Sequence, residues 1–300
     1  MLDPRVETFL TVCRYMNFTH AAEALHITQP AVSQHIHYLE SEYHTKFFHY
    51  SGKALSLTPA GELFLRTATT MRHDEQHLKL RLNGLSVKWQ KIIFGATLTV
   101  GEYIMPSPLA GLMKKFPEAE IRMVTENTSE LLAKLDNGMI DFAIIEGFFE
   151  KKEYDSLPFL TEDYVAVCAP GYSFSKPVHS LEDLLSERLL TREPGSGTRE
   201  LLERHLKERN LTIHDFSSVT EIGNLNVIKS LISRGLGIAF LYEPTVRKEL
   251  SEGTLCRIPL SDFHVTHDFT FLWRKNSVFA EDYRGLYELL KQFIFLACSK

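Results

Sequence analysis

The 300-residue sequence predicts an α/β protein in three parts: a helical N-terminal region (1–58), a single long helix (59–88) and a two-lobed α/β domain (91–300). Three observations predict it. Apolar residues keep helical spacing through the first eighty-odd positions, and short strands then alternate with helices from Lys91 onward. Charge divides at the same place. Residues 1–91 hold ten Lys+Arg, eight Asp+Glu and eight His; the remainder holds 23 basic residues, 30 acidic ones and five His. The net charge of −5 therefore resolves into a +2 arm and a −7 body. A composition of 44% hydrophobic and 24% charged residues excludes a disordered chain and a bulk membrane protein. No apolar run reaches 18 residues, so no membrane helix is expected. Cys13, Cys168, Cys256 and Cys298 lack paired spacing, and no basic-then-apolar leader follows Met1. Reduced thiols in a cytoplasmic protein are the expectation.

The N-terminal elements follow from caps and periodicity. Asp3-Pro4 opens a helix on which Val6, Phe9, Leu10 and Cys13 share a side. Thr19 can cap a short second helix around Ala21-Ala22-Glu23-Ala24-Leu25, and Thr28 caps a third that tolerates Pro30 in its first turn. On that third helix Val32, Ile36 and Leu39 face one way, while Gln29, Pro30, Ser33, Gln34 and His37 spread over the other. A short helix, a tight turn and a helix with a polar outer face make a helix-turn-helix, with Lys46–Leu57 as a hairpin wing around Ser51-Gly52. Gln matches the N6/N7 edge of adenine in a major groove, and a Ser hydroxyl reaches base or phosphate. The alternative is a small three-helix domain with a solvated face.

From Thr58-Pro59, Phe64, Ala68, Met71, Glu75, Leu78, Leu82 and Leu85 recur at alternating spacings of four and three. This is a heptad seam, interrupted once at Glu75. It needs a partner, a second copy or else the chain's own C-terminal domain. His73 and His77 point away from the seam. Without further ligands nearby they are expected on a solvated face rather than on a metal.

In the C-terminal part, strands are expected at Ile92–Thr97, Glu120–Thr125, Asp141–Glu146, Tyr164–Ala169, Leu189–Arg192, Ser217–Ile222 and Gly237–Tyr242. Helices fall between them, including Leu181–Leu185, and a return strand near His267–Arg274 precedes a final helix. The order implies largely parallel, doubly wound sheets in two lobes: about 91–162 with 268–300, and about 163–267. Thr97 and Thr99 follow the first strand, and Gly195-Ser196-Gly197-Thr198 opens a helix. Both are anion sites by geometry, because helix starts offer unpaired N–H groups. Thr125, Asn127, Thr128, Gly147 and Phe148 can add contacts. A small carboxylate or inorganic oxyanion is the expected ligand, with caps and turns alone as the plain alternative. No cofactor is expected.

The run Phe18–Glu40, with Ala21-Ala22, Gln29-Pro30-Ala31-Val32-Ser33, Leu39-Glu40 and then Leu57-Thr58-Pro59-Ala60-Gly61, closely resembles the N-terminal region of LysR-type transcriptional regulators. The likeness continues more loosely through Asp141-Phe-Ala-Ile, Arg192–Arg199 and Gly235-Leu-Gly-Ile-Ala239. The resemblance implies a winged helix-turn-helix on promoter DNA, with Thr28, Gln29, Pro30, Ser33, Gln34, His37 and Lys53 as contacts. It implies a linker helix that dimerises through Phe64, Met71, Leu78, Leu82 and Leu85. It also implies a periplasmic-binding-protein-like domain with an inducer between its lobes, assembly into dimers or tetramers, and contact with RNA polymerase in an activator. The alternative within that architecture is a thiol-redox-responsive regulator without a small-molecule inducer, with Cys168 and Cys256 as its candidates by lobe location, although Cys168 reads better as strand packing. No catalytic motif is present: Gly195–Arg199 lacks the Gly-Lys of a phosphate loop, and no GxSxG or HExxH occurs. A solute-binding protein would not carry the first ninety residues.

One departure has a measurable consequence. Gln34, His37 and Tyr50 stand where the family usually places Arg or Lys, and residues 1–66 hold five basic side chains against six acidic ones. The same stretch holds His20, His26, His35, His37, His44 and His49. Phosphate neutralisation drives duplex binding, so protonation of imidazoles, ordinarily near pH ~6.5, would supply missing charge. Operator affinity is then expected to rise between pH 8 and pH 6, relative to an Arg-rich relative. A flat profile by fluorescence anisotropy would show these His to be packing or neutral hydrogen-bonding groups.

Overall fold

The computed structural model describes residues 3–51, 54–82 and 91–298. Helices α1 (Pro4–Tyr15), α2 (Phe18–Leu25) and α3 (Gln29–Glu42) pack around Phe9, Val12, Ala21, Val32, Ile36 and Leu39. Their starts are set by side chains. Asp3 accepts from Arg5 N, Asn17 from Thr19 N and His20 N, and Thr28 from Ala31 N. The cap of α2 is thus Asn17, two residues before the expected Thr19. Strands β1 (Phe48–Ser51) and β2 (Ala54–Leu57) form the antiparallel wing. Glu40, 7% exposed, accepts from Lys46 Nζ at 2.5 Å and from Phe47 N at 2.9 Å, which ties the wing to α3. Lys53 and Leu85 lie outside the described residues.

Helix α4 (Pro59–Leu82) is about 36 Å long at 1.5 Å per residue. Its faces part company. Phe64 and Ala68 pack into the N-terminal core, stacking Phe64 on Phe47, whereas Leu63, Met71, Leu78 and Leu82 are exposed. Phe64 therefore belongs to the core of its own domain, a correction to the seam read from spacing. The face carrying His73 and His77 is also not solvated: the two are 1% and 9% exposed and lie against the C-terminal domain. His73 Nε2 meets Ile140 O at 3.2 Å, and His77 Nδ1 meets Asp141 Oδ1 at 3.2 Å beside Phe279. Helical periodicity marks a side but not what covers it. The His73 and His77 face docks on the C-terminal domain, whereas Leu63, Met71, Leu78 and Leu82 are exposed on the other side.

The C-terminal domain is built on one mixed seven-stranded sheet. Its strands are β3 (Lys91–Ala96), β4 (Glu120–Thr125), β5 (Phe142–Ile145), β6 (Tyr154–Cys168), β9 (Ala239–Tyr242), β10 (Cys256–Arg257) and β11 (Val265–Arg274). A separate parallel pair, β7 (Arg188–Thr191) with β8 (Ser218–Glu221), joins β9 through Leu190 N to Ile238 O at 2.8 Å. Helices α5 (Pro106–Lys115), α6 (Thr128–Asp136), α7 (Gly197–Glu208), α8 (Leu225–Ser233), α9 (Glu243–Glu252) and α10 (Ala280–Cys298) cover the faces. Residues 181–186 form a 3₁₀ turn rather than the expected α-helix.

The expected two parallel sheets are corrected on one point. The 15-residue β6 pairs antiparallel with β11 from Tyr154↔Arg274 to Tyr164↔Val265, and this ribbon runs through both lobes. Among the described strands the β3–β4, β3–β5 and β7–β8 pairs are parallel, as is the isolated Leu189–Ile238 bridge. The missed half of β6 reads Tyr-Asp-Ser-Leu-Pro, and Pro158 disguises a strand by supplying no ladder donor. The structure accommodates it where the β6–β11 register shifts, at Phe269/Thr270. Phe94, Phe142 and Phe271 stack in the core below. Among the described residues no helix is long and apolar enough to cross a membrane.

Candidate functional site

On α3 the polar residues stand clear of the core. Gln29, Pro30, Gln34 and His37 are exposed, Ser33 is half-buried, and Gln29 Nε2 donates to Ser33 Oγ at 2.9 Å. Thr28 caps the helix, so its hydroxyl is already engaged with Ala31 N. The fixed cations nearby are engaged too. Arg5 pairs with Asp3, Lys46 with Glu40 and Arg66 with Glu153. His20, His26, His37, His44 and His49 are exposed, while His35 Nδ1 contacts Thr8 Oγ1 at 2.8 Å. A polar helix face on a three-helix core, with a wing beside it, has the dimensions to enter a major groove.

The second site lies where the lobes meet. Thr97, Thr99, Thr128, Ser196 and Thr198 are each 3% exposed or less. They surround Glu146, a residue whose role the spacing did not suggest. Its carboxyl accepts from Thr198 Oγ1 at 2.7 Å across the lobes and from Thr97 Oγ1 at 3.3 Å. Burial pushes this carboxyl up, against the lowering effect of those hydrogen bonds. Tyr242 OH donates to Glu146 O at 3.4 Å, and Tyr164 OH to Thr198 O at 2.7 Å. Burial likewise lowers the His267 imidazole, which hydrogen-bonds the Glu146 carbonyl.

Polar groups in this cluster are left unpartnered. Thr128 Oγ1, Ser196 Oγ and Arg192 Nη1 are buried without a hydrogen-bond partner, although Arg192 grips Glu193 with its other two nitrogens at 2.8 Å. The α7 N-terminus at Ser196-Gly197 points its first N–H groups here with no side-chain cap of its own. Other expected contacts fall at the edge. Asn127 caps α6 by accepting from Glu130 N, Gly195 faces it across the gap, and Thr125 is exposed. Phe148 lies under the Arg204 guanidinium at 3.4 Å. A cavity of about 330 Å³ opens alongside, lined by Gly147, Phe148, Phe149, Lys151, Thr266 and His267 among others. Glu146 and Arg192 each directly follow a strand, β5 and β7, and precede a glycine-containing turn.

The lobes touch at two glycines. A Cβ on Gly197 would stand 2.5 Å from Gly147 N and 2.8 Å from Glu146 Cγ. Gly197→Ala is therefore expected to prop the lobes apart, breaking the Thr198–Glu146 bond. Hydrogen exchange at Gly147 should accelerate by 10-fold or more; unchanged exchange would show that the gap absorbs a methyl group.

A winged helix-turn-helix carried by a long helix onto a two-lobed domain with a buried polar cleft is the architecture of a transcriptional regulator. The chain belongs to the LysR family. Residues 5–62 match the bacterial regulatory helix-turn-helix protein, lysR family, and residues 90–294 match the LysR substrate binding domain. It is 31% identical over 271 residues to the HTH-type transcriptional regulator CysL of Bacillus subtilis, covering 89% of each chain. It is 29% identical over 274 residues to the HTH-type transcriptional regulator CfxR of Cupriavidus necator, covering 88% of this chain and 84% of that one. Among solved structures it is similar to ArgP from Mycobacterium tuberculosis, at TM-score 0.65 and 18% identity over 98% of both chains. The full-length LysG of Corynebacterium glutamicum with bound effector Arg gives 0.63 and 17%, also over 98% of both. The chain is thus a LysR-type DNA-binding regulator with an effector-binding domain, in a family of transcriptional regulators rather than enzymes.

Proposed function

We propose that this regulator binds double-stranded promoter DNA through Gln29, Ser33, Gln34 and His37, and answers to a small anion between its lobes, a carboxylate or an inorganic oxyanion. The observation that carries the ligand class is the unpartnered Arg192 Nη1, an obligate donor, beside the open start of α7, with the Ser196 and Thr128 hydroxyls buried and free to donate there. Lys151 on the adjoining cavity adds positive potential. Each class of ligand makes a different demand on the cluster. An ammonium group would leave the Arg192 Nη1 donor unmatched.

The exposed stripe Leu63, Met71, Leu78 and Leu82 supports pairing of two copies along α4, and two such dimers would give a tetramer. Ligand binding would then alter lobe closure, the spacing of paired DNA-binding domains and, in an activator, contact with RNA polymerase. Thermal-shift measurement against small carboxylates and sulfur and nitrogen oxyanions tests the ligand class. Concentration-dependent stabilisation by an anion, lost in Ser196→Ala with Arg192→Met, is expected. Stabilisation only by cations or neutral compounds would overturn it.

A further inference from the structure

Cys168 ends β6 and Cys256 opens β10, and the two sit directly opposite each other in the antiparallel register. Their sulfurs are 3.4 Å apart although the residues are 88 positions apart in the chain. Cross-strand Cα separations of ~4.5 or ~5.5 Å both fall within the range a disulfide spans, so rotation of the side chains alone can bring the sulfurs to about 2.05 Å. The two thiols are not equivalent. Cys168 is 3% exposed, whereas Cys256 is half-buried on a two-residue strand at the sheet edge. Cys256 Sγ reaches the carbonyls of Ala169 at 3.5 Å and Cys168 at 3.7 Å.

We propose that Cys168 and Cys256 form a redox site that closes into an intrachain disulfide. Cys256 is the attacking sulfur. Its thiolate displaces alkoxide or hydroxide from a hydroperoxide, the O–O bond breaks, and Cys256 becomes a sulfenic acid. Cys168 sulfur then attacks Cys256 sulfur, its proton leaves with the sulfenic hydroxyl as water, and the S–S bond forms. Two thiols and one hydroperoxide thus give one disulfide, one alcohol (or water) and one water. Burial, followed by the neighbouring Cys256, pushes the Cys168 thiol up to about 12, which argues against Cys168 as the first attacker.

The position gives the bond a structural effect. Just before Cys168, β6 crosses between the lobes; just after Cys256, Ile258 N bonds Ala166 O and the chain returns as β11. A Cys168–Cys256 bond would therefore close the second lobe into one covalent loop at the point where both crossing strands enter it. This requires no anion in the cleft, so it stands or falls separately from the ligand reading.

The test is a non-reducing peptide map of the full-length protein after stoichiometric hydrogen peroxide and quenching with N-ethylmaleimide. The expected product is a Cys168–Cys256 linked peptide pair, lost on dithiothreitol treatment and retained in Cys13→Ser with Cys298→Ser. In Cys168→Ser, dimedone should label Cys256 at least 10-fold more than in the wild type, because the sulfenic acid has no resolving partner. Recovery of Cys168 as a free alkylated thiol beside an over-oxidised Cys256, or linkage through Cys13 or Cys298, would overturn the proposal. The wild-type map decides the matter even if a variant fails to fold.

Discussion

A Ser33→Ala, Gln34→Ala double variant is expected to lose roughly 30- to 10⁴-fold in affinity for its operator, at ~1–3 kcal/mol for each base contact removed. Non-specific duplex binding, which rests on phosphate contacts, should change by less than about threefold. The asymmetry follows from placement. Gln34 is exposed and Ser33 half-buried on the outer side of α3, whereas Val32, Ile36 and Leu39 hold the core. Ser33→Ala also releases Gln29, whose side-chain amide donates to the Ser33 hydroxyl. Alanine raises helix propensity at both positions, so a folding loss is not expected to contribute. Anisotropy measurements on operator and scrambled duplexes give both numbers. Unchanged selectivity would remove these two residues from the reading face.

Arg274→Met is expected to release α4 from the effector-binding domain. Arg274 is 3% exposed at the end of β11, and its guanidinium reaches Asp136 Oδ1 at 2.6 Å, Arg66 O at 3.3 Å and Thr70 Oγ1 at 3.4 Å. Glu153 lies 3.7 Å away, and the Tyr154 ring 5.3 Å. Removing one partner of a buried ion pair costs ~3–5 kcal/mol, but the Asp136 side chain is 42% exposed and can rehydrate. About 2–3 kcal/mol remains, which corresponds to roughly 30- to 150-fold faster exchange of the α4 amides around Arg72–His77. Unaltered exchange would mean that His73, His77 and Asp74 hold the helix by themselves.

The neighbouring Asp74 makes the same contact acid-sensitive. Burial raises its carboxyl, but hydrogen bonds from His73, the Ser277 hydroxyl and Val278 N outweigh that and hold it below its ordinary value. A depressed acid stabilises the docked state above the ordinary carboxylate range, and that contribution is lost as pH falls through the lowered value.

The reading face was legible because its determinants are local. Thr28, Pro30 and the Val32–Ile36–Leu39 spacing place α3 and orient it, and no distant residue is needed to say which side is polar. Most β-strands were legible for a similar reason, as short β-rich runs between glycines and helix caps. The effector cleft was half legible. Strand ends and helix starts put Thr97, Thr99, Thr128, Ser196 and Thr198 in plausible places, but nothing local showed that Glu146 would be the carboxyl they enclose. An acidic residue at a strand end is ordinarily solvated; only the second lobe, closing Thr198 over it, buries it.

Charge partition, the helix-turn-helix, the long apolar-striped helix and the strand–helix alternation were determined by the sequence by itself, because each depends on contacts within one element or between neighbours. Tertiary structure alone decided which side of α4 faces the body, turning His73 and His77 from surface residues into buried contacts. It alone merged the expected sheets through the β6–β11 ribbon and placed Cys256 against Cys168 across 88 residues. These outcomes turn on which surfaces meet after the chain folds back. Periodicity specifies that a surface exists, whereas burial, pairing and the resulting shifts in titration belong to the partner it meets.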